Sequence, residues 1–155
     1  QLPSHDQEEF LFRQIQTGPT TRLAAETAAT LRWLKERPSL LGIASNAQAY
    51  TLRELQEALA AHALGMDLFD PELRFWSFEH GFSKPDPHVF RILTARLEAR
   101  GISPAETLMV GDRLDNDLTP AQAHGWQTWQ IGQQAGDGVK AGGWSQLRER
   151  LLVSL

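Results

Sequence analysis

Apolar residues along the chain alternate between helical spacing and short unbroken runs, and that alternation predicts an α/β fold. Leu23, Ala24, Thr27, Ala28, Leu31 and Leu34 recur at helical spacing, and Pro38 closes the segment. SLLGIAS (39–45) is almost wholly apolar, as expected of a parallel strand buried on both faces. Leu52, Leu55, Leu59 and Ala63 mark a second amphipathic helix, and RFWSF (74–78) reads as an aromatic strand. Asp86-Pro87 supplies an N-cap and a first helical residue for a helix through Phe90, Leu93 and Leu97 that ends at Gly101. TLMV (107–110) predicts a second buried strand, followed by a short helix from about Thr119-Pro120 to Gly125. WQTWQI (126–131) predicts a third strand, Gly132 to Gly143 a loop, and Trp144, Leu147 and Leu151 a last helix. The opening PSHDQEEFLFRQIQTGP reads as a helix, with Ser4 and Gln7 as a capping box and Gly18-Pro19 as its stop. Strands alternating with helices imply a parallel sheet with helices on both faces.

Composition narrows the classes. The 155 residues fit one ordinary domain, and 41% hydrophobic with 22% charged residues exclude disordered and fibrous architectures. No apolar run approaches the roughly 20 residues of a membrane-spanning helix, so no membrane partner is expected. A net charge of −4 argues against nucleic acid as a partner. The chain has no cysteine, which excludes a disulfide framework, a thiolate metal site and a cysteine nucleophile, and favours a cytoplasmic location.

Three polar clusters lie just past strand ends or in the loops leading from them, where open α/β sheets bind ligands. Ser45-Asn46 follows SLLGIA, Ser83-Lys84-Pro85-Asp86-Pro87 follows RFWSF, and Gly111-Asp112-Arg113-Leu114-Asp115-Asn116-Asp117 follows TLMV. A hydroxyl, an ammonium and paired carboxylates suit a phosphoryl group with Mg²⁺. Taken singly, each has a plainer reading. Ser45-Asn46 would be a turn, Lys84 a solvated lysine, and Asp112 and Asp117 caps for the next helix. Asp115 reads as a solvated carboxylate at a helix start. The five histidines show no ligand spacing and read as structural or surface residues, and Trp126 and Trp129 read as sheet packing.

In chain order these clusters resemble three signature motifs of the haloacid dehalogenase-like (HAD) hydrolase superfamily, over about residues 20–152. LLGIASN resembles the second motif, SFEHGFSKPDPHVF the third, and LMVGDRLDND followed by PAQAHGW the fourth. The resemblance implies a HAD-like, Rossmannoid parallel sheet with at most a remnant of a helical cap at residues 1–18, and a core domain over 19–155. It implies that Ser45 and the backbone around Asn46 hold phosphoryl oxygens, that Lys84 balances charge, and that Asp112 and Asp117 bind Mg²⁺, with Asp117 a direct ligand or a supporting partner. The implied reaction is attack by an aspartate on a small phosphate monoester, followed by hydrolysis of the aspartyl intermediate. A binding or regulatory module without chemistry, and a dehalogenase acting on carbon–halogen bonds, are the alternatives.

The first motif of that family, a strand ending in DxDGT with the nucleophile, has no counterpart here. Gln14 and Gln16 stand where carboxylates would be needed, and Asp6 falls in the helix-start cluster. With Gln1 as the first residue, the expectation is a nucleophile strand supplied by upstream sequence. By resemblance it would lie between the strands at 39–45 and 107–110, which leaves their facing edges unpaired. Residues 1–155 alone are then expected not to form a stable monomer.

Overall fold

The computed structural model describes Glu9, Arg13, residues 21–132 and residues 140–154. Glu9 and Arg13 are helical, and Glu9 pairs with Arg13 at 3.1 Å and with Arg53 at 3.2 Å. The capping box at Ser4 and Gln7, and Gln14 and Gln16, lie outside the described residues, as do most of residues 1–18 and of the glycine-rich loop.

The described chain runs α1 (Ala25–Lys35), β1 (Ile43–Ser45), α2 (Ala49–Ala60), β2 (Arg74–Trp76), α3 (Ser77–His80) and α4 (Pro87–Glu98). It continues with β3 (Leu108–Gly111), a π-helical turn (Leu114–Leu118), α5 (Thr119–Ala123), β4 (Gln127–Ile131), β5 (Ala141–Gly142) and α6 (Trp144–Ser154). Every strand pairing is parallel, as the alternation of elements predicts: β1 with β2, β3 with β4, and β4 with β5. The caps act where the sequence places them. Asp86 accepts a hydrogen bond from the His88 amide at 2.8 Å with Pro87 as the first residue of α4, and Gly101 takes φ +76°.

Three expectations are corrected. RFWSF divides: Arg74–Trp76 is strand, whereas Ser77 opens a four-residue helix that stops at Gly81 with φ +74°. The stretch read as loop contributes β5, a two-residue strand held against Gln130 and Ile131. Most consequentially, β1 and β3 are not buried on both faces. Every residue of both strands is half-buried, and Leu40 in the run leading to β1 is 48% exposed.

The strands form two separate sheets, β1–β2 and β3–β4–β5. Among the described residues no strand pairs with the outer edge of β1 or of β3, which agrees with an open place between them. The core gathers on β2 and the helices. Phe75 of β2 packs with Val89, Phe90, Leu93 and Leu97 of α4, with Ala121 and with Trp126. A second cluster joins Ala28 of α1, Leu59 of α2, and Leu64, Leu68 and Phe69. Among the described residues, no helix is long and apolar enough to cross a membrane.

Candidate active site

The site is assembled from the carboxyl ends of β1 and β3 and the loop leading into α4. Ser45 is the last residue of β1, and Asp112 follows the last residue of β3. Lys84 comes from the loop between α3 and α4, and its peptide bond to Pro85 is cis.

Lys84 and Asp117 meet directly. Lys84 Nζ lies 2.5 Å from Asp117 Oδ1, with the two side chains only 10% and 7% exposed. Lysine and aspartate are rarely buried unless paired, so each accounts for the other's position. The second carboxylate oxygen of Asp117 accepts a hydrogen bond from the Arg113 amide at 3.2 Å. Gly111 makes room for it: a Cβ there would stand 2.6 Å from both Asp117 Cβ and Oδ2. The π-helical turn completes the placement, because the amides of both Asp117 and Leu118 donate to Arg113 O, at 2.9 and 3.3 Å. Asp117 is therefore no cap for the helix that follows.

Asn46 is joined to the same loop. Its Nδ2 donates to Lys84 O and its Oδ1 accepts from the Lys84 amide, both at 2.8 Å. Its side chain thus addresses Lys84, a contact that the assignment of the Asn46 backbone to phosphoryl oxygens did not anticipate.

Ser45 and Asp112 remain available. Ser45 Oγ makes no hydrogen bond among the described residues and is half-buried at its strand end. The Asp112 carboxylate is exposed and among the described residues accepts no hydrogen bond, while its backbone oxygen accepts from Gln130 Nε2 at 3.3 Å. Gln130 is a buried polar residue of β4 that sequence reading passed over, although a glutamine inside an apolar strand is itself a signal. Asp115 is exposed, as expected, and pairs with Arg113. The hydrogen bond from Arg113 holds its carboxyl below the usual range, and the same contact raises the Arg113 guanidinium.

Mg²⁺ takes one or two protein carboxylates and keeps water or phosphate oxygens in its other positions. Asp112 fits that demand as a direct ligand. Asp117, with both oxygens engaged, fits as a supporting partner that holds Lys84. No group of three or more potential ligands occurs among the described residues.

The described histidines are structural or surface residues, as expected. His62 Nε2 lies 2.8 Å from Leu23 O, His124 Nδ1 lies 2.8 Å from Pro120 O, His80 stacks on Phe75, and His88 pairs with Asp86. His5 lies outside the described residues. Trp126 and Trp129 are buried packing residues whose Nε1 groups donate to Thr94 Oγ1 and Gly142 O. A surface cavity lined by Leu52, Gln56, Met66, Pro71, Arg74, Trp76 and Glu79 includes none of the site residues.

Comparison with known proteins agrees with the fold. A HAD phosphatase from Thermococcus onnurineus superposes with a TM-score of 0.66 at 27% identity, over 83% of this chain and 58% of that one. A HAD-hydrolase from Bacillus subtilis bound to magnesium gives a TM-score of 0.67 at 21% identity, over 83% and 56% of the two chains. A 2-haloacid dehalogenase from Pseudomonas syringae gives 0.63 at 23% identity, over 86% and 55%. The chain thus spans a little more than half the length of these structures. A comparison with curated protein sequences finds no match. The family model of the haloacid dehalogenase-like hydrolases matches residues 5–125, and the chain belongs to that family.

Proposed function

We propose that this domain is the phosphoryl-binding part of a Mg²⁺-dependent phosphatase acting on small phosphate monoesters in the cytoplasm, with the attacking aspartate supplied by sequence outside these 155 residues. The observation that supports it most is the convergence of Asn46, Lys84 and Asp117 between two strand ends that carry an unengaged hydroxyl and an unengaged carboxylate. Ser45 donates a hydrogen bond to a phosphoryl oxygen. Lys84, fixed by Asp117 and by Asn46, neutralises charge as the aspartate oxygen bonds to phosphorus and the alcohol departs. Water then cleaves the aspartyl phosphate. Bound at Asp112, Mg²⁺ would supply further charge neutralisation for the phosphoryl oxygens.

The test is phosphate release by the full gene product, with Mg²⁺, across a panel of phosphate monoesters. Lys84→Ala is expected to lose at least about a hundredfold in rate, roughly 3 kcal/mol. No turnover across the panel by a folded protein overturns the reading, as does near-normal turnover by the variant. Halide release from 2-haloacids in the same preparation would favour the dehalogenase instead.

A further inference from the structure

Beside Asn46, a second residue clasps the loop after β1. Ser77, the first residue of α3, donates from Oγ to Ala47 O at 3.0 Å and accepts from the Ala47 amide at 2.9 Å. One hydroxyl thereby satisfies both polar groups of one backbone residue, just as the Asn46 amide satisfies both polar groups of Lys84. The two clasps differ in surroundings. Ala47 is 6% exposed, so water has poor access to its N–H and C=O if the hydroxyl is removed. Asn46 is exposed, and water can take over part of its role.

Ser45, Asn46 and Ala47 are consecutive. Ala47 is tied to the residue after β2, Asn46 to the Lys84 loop, and Ser45 directly precedes both. We infer that Ser77 and Asn46 are positioning residues: Ser77 fixes the turn that orients Ser45, and Asn46 fixes the backbone from which Lys84 reaches Asp117. Neither needs to touch substrate. The inference rests on the proposed phosphatase reading only for its kinetic part, because the clasps themselves are read independently of activity.

The experiment uses the full gene product and two readouts. In amide hydrogen exchange by NMR, Ser77→Ala raises exchange at the Ala47 amide at least tenfold, Asn46→Ala raises it at Lys84 by less, and Ser77→Thr keeps wild-type protection. In kinetics, Ser77→Ala lowers kcat about tenfold with KM within twofold, and Ser77→Thr restores kcat. Unchanged exchange at Ala47 in Ser77→Ala overturns the clasp. Raised exchange with unchanged kcat, or a folded Ser77→Thr as impaired as the alanine variant, overturns the positioning role. Where Ser77→Ala fails to fold, Asn46→Ala at its exposed position decides by the Lys84 amide. A wild-type protein that turns over no phosphate ester counts against the phosphatase reading, and the exchange measurements still decide the clasps.

Discussion

In each of the two sheets a dry strand lies beside a half-wet one, and the half-wet β1 and β3 are those the sequence marks as most apolar. In the first sheet Phe75 and Trp76 of β2 are buried, while Ile43, Ala44 and Ser45 of β1 are only half-covered. In the second sheet Thr128, Trp129 and Gln130 of β4 are buried despite two polar side chains, while Leu108, Met109 and Val110 of β3 are half-covered. Hydrophobicity says where a strand is stable, but burial is set by what covers its faces as well as its edges. Gln130 is buried because β3 and β5 flank β4, and its amide donates to Asp112 O. Apolar β1 and β3 each have a strand partner on one edge only among the described residues, as does β2, but Phe75 of β2 is covered by α4. The composition of β1 and β3 suits a place with strands on both sides, which supports the proposal of a further strand between them.

Point substitutions can break this contrast. The largest expected effect is in the dry strand: Trp129→Ala should cost about 3–5 kcal/mol in denaturant unfolding. For a matched side chain, Val89→Ala in α4, where the valine is fully buried, should cost about 2 kcal/mol. Val110→Ala in β3 should cost about 1 kcal/mol, and equal losses at the two valines would mean β3 is as dry as the core. Gly111→Ala tests the junction. Its Cβ would meet Asp117 at 2.6 Å, so about 1–3 kcal/mol of overpacking is expected, together with displacement of Asp117 from Lys84. Retained stability would show that Asp117 can move freely.

The smallest effect is acid-dependent. Asp70, whose amide donates to Leu41 O on the approach to β1, also bonds Arg100, and that contact holds its carboxyl below the usual range. A depressed folded pKa means the contribution is present above the unfolded value near 3.8 and fades as pH falls through the lower folded value. Asp70→Asn should therefore lower Tm by about 2 °C at pH 7 and match the wild type near pH 2. A constant difference across that range would assign the loss to packing rather than charge.

Much of the fold was legible from single residues and their neighbours. Asp86-Pro87 declares α4 because a cap and its proline are local chemistry, and the apolar runs place Ser45 and Asp112 at strand ends. What stayed hidden depends on distant partners. Asn46 finds Lys84, and Ser77 finds Ala47, across chain separations over which no spacing rule operates. The strand β5 is two residues in a glycine-rich stretch, held by β4 rather than by its own propensity. The wetness of β1 and β3 was hidden for the same reason, since an apolar run looks identical whether one edge or both are filled.

The widened turn at Leu114–Leu118 has a consequence for inheritance and engineering alike. A helix advances about 100° per residue, so one residue more or less rotates everything beyond it by that angle. Here the extra residue of the π-helical turn, with Leu118 donating five residues back to Arg113 O, sets the angular phase between β3 and α5. Asp117 faces Gly111 and Lys84 in that phase. Deleting one residue from the turn would swing a carboxylate in this stretch by more than a quarter of a circle while leaving both flanking elements intact. The segment thus acts as a length gauge, tolerant of changed side chains at exposed Leu114 and Asp115 but not of a changed residue count.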